Sequence, residues 1–135
     1  GNAITFKAVS EATGGRYGLI EYSATPNLNG PPPHIHPDME EAFYILEGEF
    51  AIRLGVETIR APAGAFVLVP RGTVHTFSNP GDRPARFLLI ISPGGFERYF
   101  EELAPLVGEH GYPPPEVMKV LGEKYNFRVV DAPPC

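Results

Sequence analysis

The chain has 135 residues, 43% of them hydrophobic and 20% charged, which suits one folded domain whose core needs no disulfide staples. Its formal net charge is −5 and no run of Lys and Arg stands out, so it lacks the electrostatic footprint of a nucleic-acid or anionic-lipid binder. Apolar stretches such as Ala65–Pro70 and Phe87–Ile91 are too short to span a bilayer, and no charged-then-apolar leader opens the chain, so a cytoplasmic location is expected.

The 15 glycines and 16 prolines are dispersed, which points to tight turns between short strands and not to a linker. In chain order, β-prone runs fall at Ile4–Val9, Tyr17–Ser23, Ala42–Leu46, Phe50–Leu54, Thr58–Arg60, Phe66–Val69, Val74–Ser78 and Phe87–Ile91. Turn signals such as Glu47-Gly48, Pro62-Ala63-Gly64 and Asn79-Pro80-Gly81-Asp82 separate them, and the spacing predicts an all-β sandwich or barrel. After Pro93-Gly94-Gly95 the period changes: Phe96, Tyr99, Phe100, Leu103 and Ala104 fall at helical spacing, and Pro105 should stop the helix. A second helix is expected from Glu116 to about Tyr125, with Pro115 in its first turn, and Phe127–Val130 reads as a last short strand. The expected organisation is therefore one domain over 1–135, a barrel over about 1–92 and a two-helix C-terminal extension over about 96–135. About forty residues rarely fold alone, so the helices should cover the barrel or make a dimer contact.

Three of the four histidines sit in two compact clusters. His34 and His36 are two apart and face the same way in an extended segment. Glu41 shares parity with Phe43 and Ile45, and His75 shares parity with Phe77. Three imidazoles and a carboxylate make a competent shell for one divalent transition metal ion, be it Fe, Mn, Ni, Cu or Zn, and leave positions open for water or substrate. Glu40 competes with Glu41, but spacing to Gly48 and the parity favour Glu41, leaving Glu40 on the opposite side. Because imidazole ligates only when neutral, metal affinity should drop below about pH 6.

The segment GAFVLVPRGTVHTFSN fits the second cupin motif through Gly64, Pro70, Gly72, His75 and Asn79, and HIHPDMEEAFYILEG fits the first through His34, His36, Glu41 and Gly48. One departure is visible: the first motif's leading glycine falls on Leu28, and the nearest glycine is Gly30. The chain thus resembles the cupin superfamily, and within it the small quercetin-dioxygenase-like proteins. The resemblance implies a double-stranded β-helix, or jelly-roll barrel, with His34, His36, Glu41 and His75 as metal ligands. It also implies ring cleavage of a flavonol-like enol by dioxygen, with Glu41 as general base, and a homodimer. Gly48 and Gly72 are expected at turns with positive φ, and Asn79 bonding backbone in the turn that follows.

Two other classes stand beside the dioxygenase: a non-oxidative isomerase, decarboxylase or lyase on a small carbonyl compound, and a binding module without catalysis. No DNA-binding helix-turn-helix accompanies the barrel, which argues against a sensor. Phe43, Ile45, Phe50, Ile52, Phe66, Leu68 and Phe77 are the candidates to line a substrate pocket. The stripe Phe96, Tyr99 and Phe100 reads as packing, Arg53 as outward-facing, His110 as a solvated loop residue and Cys135 as an unpaired tail thiol.

Overall fold

The structure, a computed structural model, describes residues 3–108 and 111–130; His110 and Cys135 lie outside them. The chain forms β1 (Ala3–Ala8), a single helical turn α1 (Ser10–Thr13), β2 (Gly18–Ala24), β3 (His34–Ile35), β4 (Glu40–Glu47) and β5 (Glu49–Leu54). There follow β6 (Glu57–Pro62), β7 (Phe66–Val69), β8 (His75–Ser78), β9 (Ala85–Ser92), α2 (Glu97–Leu103), a 3-10 turn (Ala104–Leu106), α3 (Pro115–Tyr125) and β10 (Arg128–Val129). The strands make two five-stranded sheets, ordered β1-β2-β9-β4-β7 and β10-β3-β8-β5-β6, with antiparallel pairing throughout. This is the jelly-roll barrel that the motifs predict, with helices after it.

Alternation builds the interior. Gly18, Ile20, Tyr22 and Ala24 of β2 are buried while the residues between them are not. Ala85, Phe87, Leu89 and Ile91 of β9 do the same on the neighbouring strand. Phe87 joins the two sheets, its ring centroid 5.1 Å from Tyr22, 5.0 Å from Phe50 and 5.2 Å from Phe77. Each such ring pair is worth about 0.5–1.5 kcal/mol beyond the area it buries. The C-terminal elements share this core: Tyr99, Phe100, Leu103, Met118, Leu121 and Phe127 are buried in the same cluster. No helix among the described residues is long and apolar enough to cross a membrane.

The turns carry the motif glycines. Gly48 and Gly72 sit at φ +74° and +75°, and Asn79 donates through Nδ2 to the carbonyls of Thr25 and Arg83 while its Oδ1 accepts from the Gly81 N–H. Gly30 explains the displaced glycine of the first motif. A Cβ there would lie 1.7 Å from the Phe77 carbonyl oxygen, so only glycine lets this segment pass so close to β8. Leu28, which stands in the motif's glycine place, is instead a core residue bridged to Asn79.

Pro105 ends α2 as expected, at Leu103, and then sits in the first turn of the 3-10 segment, where a missing N–H costs nothing. Two elements differ from expectation. Arg128–Val129 is only two residues long, and it pairs with His34–Ile35 of β3, a strand too short for alternation to show. α1 has no apolar stripe and no buried residue, so nothing in the sequence marks it.

Candidate metal centre

The four candidate ligands come from both sheets. His34 on β3 and His75 on β8 are directly opposed in register, which brings their ring centroids to 4.3 Å. His36 lies two residues further on, its ring 4.9 Å from His34 and 5.1 Å from His75. Glu41 enters from the other sheet, near the start of β4, between Val69 and Ile91. One donor atom from each of the four lies within 4.8 Å of every other. Adjacent donors at about 2.1 Å from an octahedral ion stand about 3 Å apart and opposite ones about 4.2 Å, so this spread suits a single ion. Glu41 is buried, whereas its competitor Glu40 is half-buried on the other side of the strand.

The hydrogen bonds set the direction of each ring. His34 Nδ1 is 2.9 Å from the Pro32 carbonyl and His75 Nδ1 is 2.9 Å from the Thr73 carbonyl, each two residues back along its own chain. Donating Nδ1–H to those carbonyls leaves Nε2 as the inward atom of both imidazoles. Nε2 of His75 is 2.7 Å from Oε1 of Glu41, and Nε2 of His36 is 3.1 Å from the same oxygen without being aligned to donate to it. An imidazole lone pair and a carboxylate lone pair so close repel unless a cation, a proton or a metal ion, lies between them. His36 is 3% exposed, yet among the described residues neither of its ring nitrogens has a hydrogen-bond partner. A buried imidazole so placed is costly in a plain core, and a metal ion on Nε2 would relieve that cost at one of the two nitrogens.

Electrostatics favour the ligating forms of His34 and Glu41, and the protonated form of His75. Burial, with the adjoining His75 and His36, pushes His34 down to about 3, so its ring stays neutral. Burial alone would raise Glu41, but His36 and His75 outweigh it and hold the carboxyl well below its usual range. Burial would lower His75, and the bond to Glu41 reverses that and lifts it above the free imidazole value.

The cluster opens into an aromatic cavity. Only about 20 Å³ of it is open to the centre of a water-sized molecule. That is on the order of one water or one ion. Of the candidate pocket residues, Phe43 and Phe77 line it. Ile45, Phe50 and Ile52 are fully buried in the core but do not line it. Phe66 and Leu68 are a correction: they are 60% and 49% exposed on the outer face of β7, and Val67 and Val69 point inward. Every residue of Phe66–Val69 is apolar, so alternation has no phase there, and the pairing of Val67 with Phe43 and Val69 with Glu41 sets it.

The rest of the wall comes from outside the motifs. Phe87 and Leu89 lie on the buried face of β9. The stripe on α2, read as packing, does pack, and it also lines the cavity: the Phe96 ring is 4.7 Å from His36 and 4.7 Å from Tyr99. Phe127 closes another side, 5.7 Å from His34 and 5.8 Å from His36. Tyr112 also reaches the cavity, and no periodicity in its Gly- and Pro-rich surroundings announces it.

Residues 23–91 match the family described as Cupin domain. The tetracenomycin polyketide synthase protein TcmJ of Streptomyces glaucescens is 33% identical over 82 residues, covering 61% of this chain and 53% of that protein. Among solved structures, TT1209 from Thermus thermophilus superposes with a TM-score of 0.61 and 26% identity, over 68% of this chain and 83% of the other. The polyketide cyclase RemF from Streptomyces resistomycificus does so with a TM-score of 0.59 and 28% identity, over 67% of this chain and 64% of its own. The chain thus spans about half the length of TcmJ and under two thirds of RemF.

Proposed function

The chain belongs to the cupin family, and we propose that it is a metal-dependent enzyme that takes a proton from a small enolisable carbonyl compound. The metal is a divalent transition ion held by His34, His36, Glu41 and His75, and when bound it supplies Lewis-acid polarisation of a carbonyl or enol oxygen. The observation that carries the reading is the buried, ionised Glu41 carboxylate, 2.7 Å from His75 Nε2 at the edge of an aromatic cavity. Burial would raise Glu41, but His36 and His75 hold it well below its usual range, so the carboxylate is a weak base by itself and takes a proton only from a C–H or O–H acid made more acidic by that Lewis-acid polarisation. Phe43 and Phe77 exclude water from that encounter, and Phe96 holds the ring of His36.

Such a proton transfer needs no oxidant. Returned to another carbon, the proton gives an isomer; followed by attack of the enolate carbon on a second carbonyl, it closes a ring and releases water. The likeness to TcmJ and RemF supports this non-oxidative chemistry on a polyketide-like fragment. The cavity's free space is on the order of one water, so any organic substrate must displace wall rings such as Phe96 and Phe127 to enter. A flavonol-type dioxygenase is the second reading, favoured by the same dry aromatic wall, and it begins with the same proton on Glu41. Elemental analysis of the parent beside His75→Ala, followed by turnover of enols with and without oxygen, tests both. About one equivalent of metal in the parent alone, with turnover under anaerobic conditions, is the expected result. Turnover that requires oxygen selects the dioxygenase, and no metal even after reconstitution overturns both.

We also propose a homodimer. Tyr44, Phe66, Leu68 and Ile90 form an exposed apolar patch on the outer face of one sheet, with Phe66 beside Tyr44 in register and β7 at the open edge.

A further inference from the structure

The cavity holds a second set of polar groups. Tyr99 is 5% exposed and lines the cavity, yet its hydroxyl makes no hydrogen bond among the described residues. Tyr112 also lines the cavity, and its hydroxyl is 2.8 Å from that of Tyr22, which is fully buried. Tyr112 donates to Tyr22, which leaves the Tyr112 oxygen with lone pairs free to accept a hydrogen bond from a group in the cavity. Of the three phenols only Tyr99 lacks a hydrogen-bond partner among the described residues, so its hydroxyl is available to a ligand. The rest of the wall is almost entirely hydrocarbon, so these phenols are the polar contacts it offers besides the His and Glu cluster.

We propose that Tyr99 and the Tyr22–Tyr112 pair form a phenol subsite that hydrogen-bonds a second oxygen of the substrate, apart from the oxygen held at the His and Glu cluster. The inference rests on the function proposed above, and it narrows the substrate class to compact molecules carrying a keto–enol pair and one further carbonyl or hydroxyl. Burial holds both cavity-lining phenols well above the usual tyrosine range, so both stay neutral, Tyr99 as a donor and Tyr112 as an acceptor toward a ligand.

Kojic acid and allomaltol share the same hydroxy-ketone pair and differ by one hydroxyl, which makes them suitable probes. Binding of each to zinc-loaded protein is measured by calorimetry for the parent, Tyr99→Phe and Tyr112→Phe, with zinc content and Tm measured alongside. The parent is expected to prefer kojic acid by about three- to ten-fold, the worth of one neutral hydrogen bond. Tyr99→Phe should lose that preference, keep its zinc and its affinity for allomaltol, and melt at the same temperature or higher. Equal binding of the two pyrones by the parent, or a preference that survives in both variants, overturns the subsite and leaves the metal-dependent reading standing. A lower Tm in Tyr99→Phe with the preference intact assigns the hydroxyl a structural role and overturns it as well. Failure of either pyrone to bind the parent overturns both the subsite and the reading beneath it.

Discussion

Replacing His34 by Phe should flatten the acid limb of the metal-free protein's stability. His34 is 9% exposed and its folded-state pKa is pushed to about 3 from an ordinary value of 6.5. The unfolded chain therefore binds a proton near pH 6.5 that the folded chain refuses, so this group's contribution is complete above pH 6.5 and is lost as pH falls below it. Each pH unit in that window costs about 1.4 kcal/mol, which comes to about 2.5 kcal/mol between pH 7.5 and 4.5. His75 has the opposite sign. Its folded pKa is raised, so its stabilisation is full below 6.5 and is lost as pH rises through that raised value, on the alkaline side, where parent and variant share it. Glu41 is held well below 4.5, so its contribution stays intact down to pH 4.5 and is lost only below it. The assay is urea unfolding of chelator-treated protein at about pH 7.5, 6.5, 5.5 and 4.5, analysed by linear extrapolation with unchanged m values. The parent should lose about 2.5 kcal/mol more than His34→Phe across that range. Equal pH slopes for the two proteins would refute the reasoning, because they would mean that His34 takes up its proton in the folded state.

Gly30→Ala should destabilise the chain by about 3 kcal/mol or more, since the new methyl would sit 1.7 Å from a backbone carbonyl oxygen that no side-chain rotation can move. A loss under about 1 kcal/mol in chemical denaturation would show that the segment passes β8 with room to spare. Leu68→Lys, on the exposed apolar face, should change monomer stability by no more than about 0.5 kcal/mol while shifting sedimentation from dimer toward monomer. An unchanged sedimentation profile would place any dimer contact elsewhere.

Legibility followed the strength of the physical signal. β2 was readable by span and face because Ile20, Glu21, Tyr22 and Ser23 alternate, whereas β9, apolar throughout Phe87–Ile91, was readable as a strand and not by face. The convergence of His34, His36, Glu41 and His75 was readable because the ligand spacing in two motifs constrains where the strands place them. β7 was readable as a strand but not by face, since Phe-Val-Leu-Val has no polar partner to set the phase, and the register with β4 decides it. Tyr112 was illegible for a different reason. Its place in the cavity depends on where residues after the 3-10 turn cross the barrel, marked by the parallel bridge of Gly111 to Asn29, and nothing local encodes that path.

The α2 stripe shows why packing and function are poor alternatives for a small barrel. Phe96 is a packing residue by its spacing, yet it holds the ring of His36, the candidate ligand whose nitrogens have no hydrogen bond among the described residues to orient them. The four candidate ligands all fall inside the matched residues 23–91, whereas Phe96, Tyr99, Tyr112 and Phe127 all fall outside. Membership of the family therefore speaks to the metal-binding half of the site. The C-terminal extension supplies the rest of the wall, and it is tied to the ligand strand itself, because β10 pairs with His34–Ile35. Activity inferred from a barrel match alone would thus leave out aromatic rings that line the cavity, Phe96, Tyr99, Tyr112 and Phe127 among them.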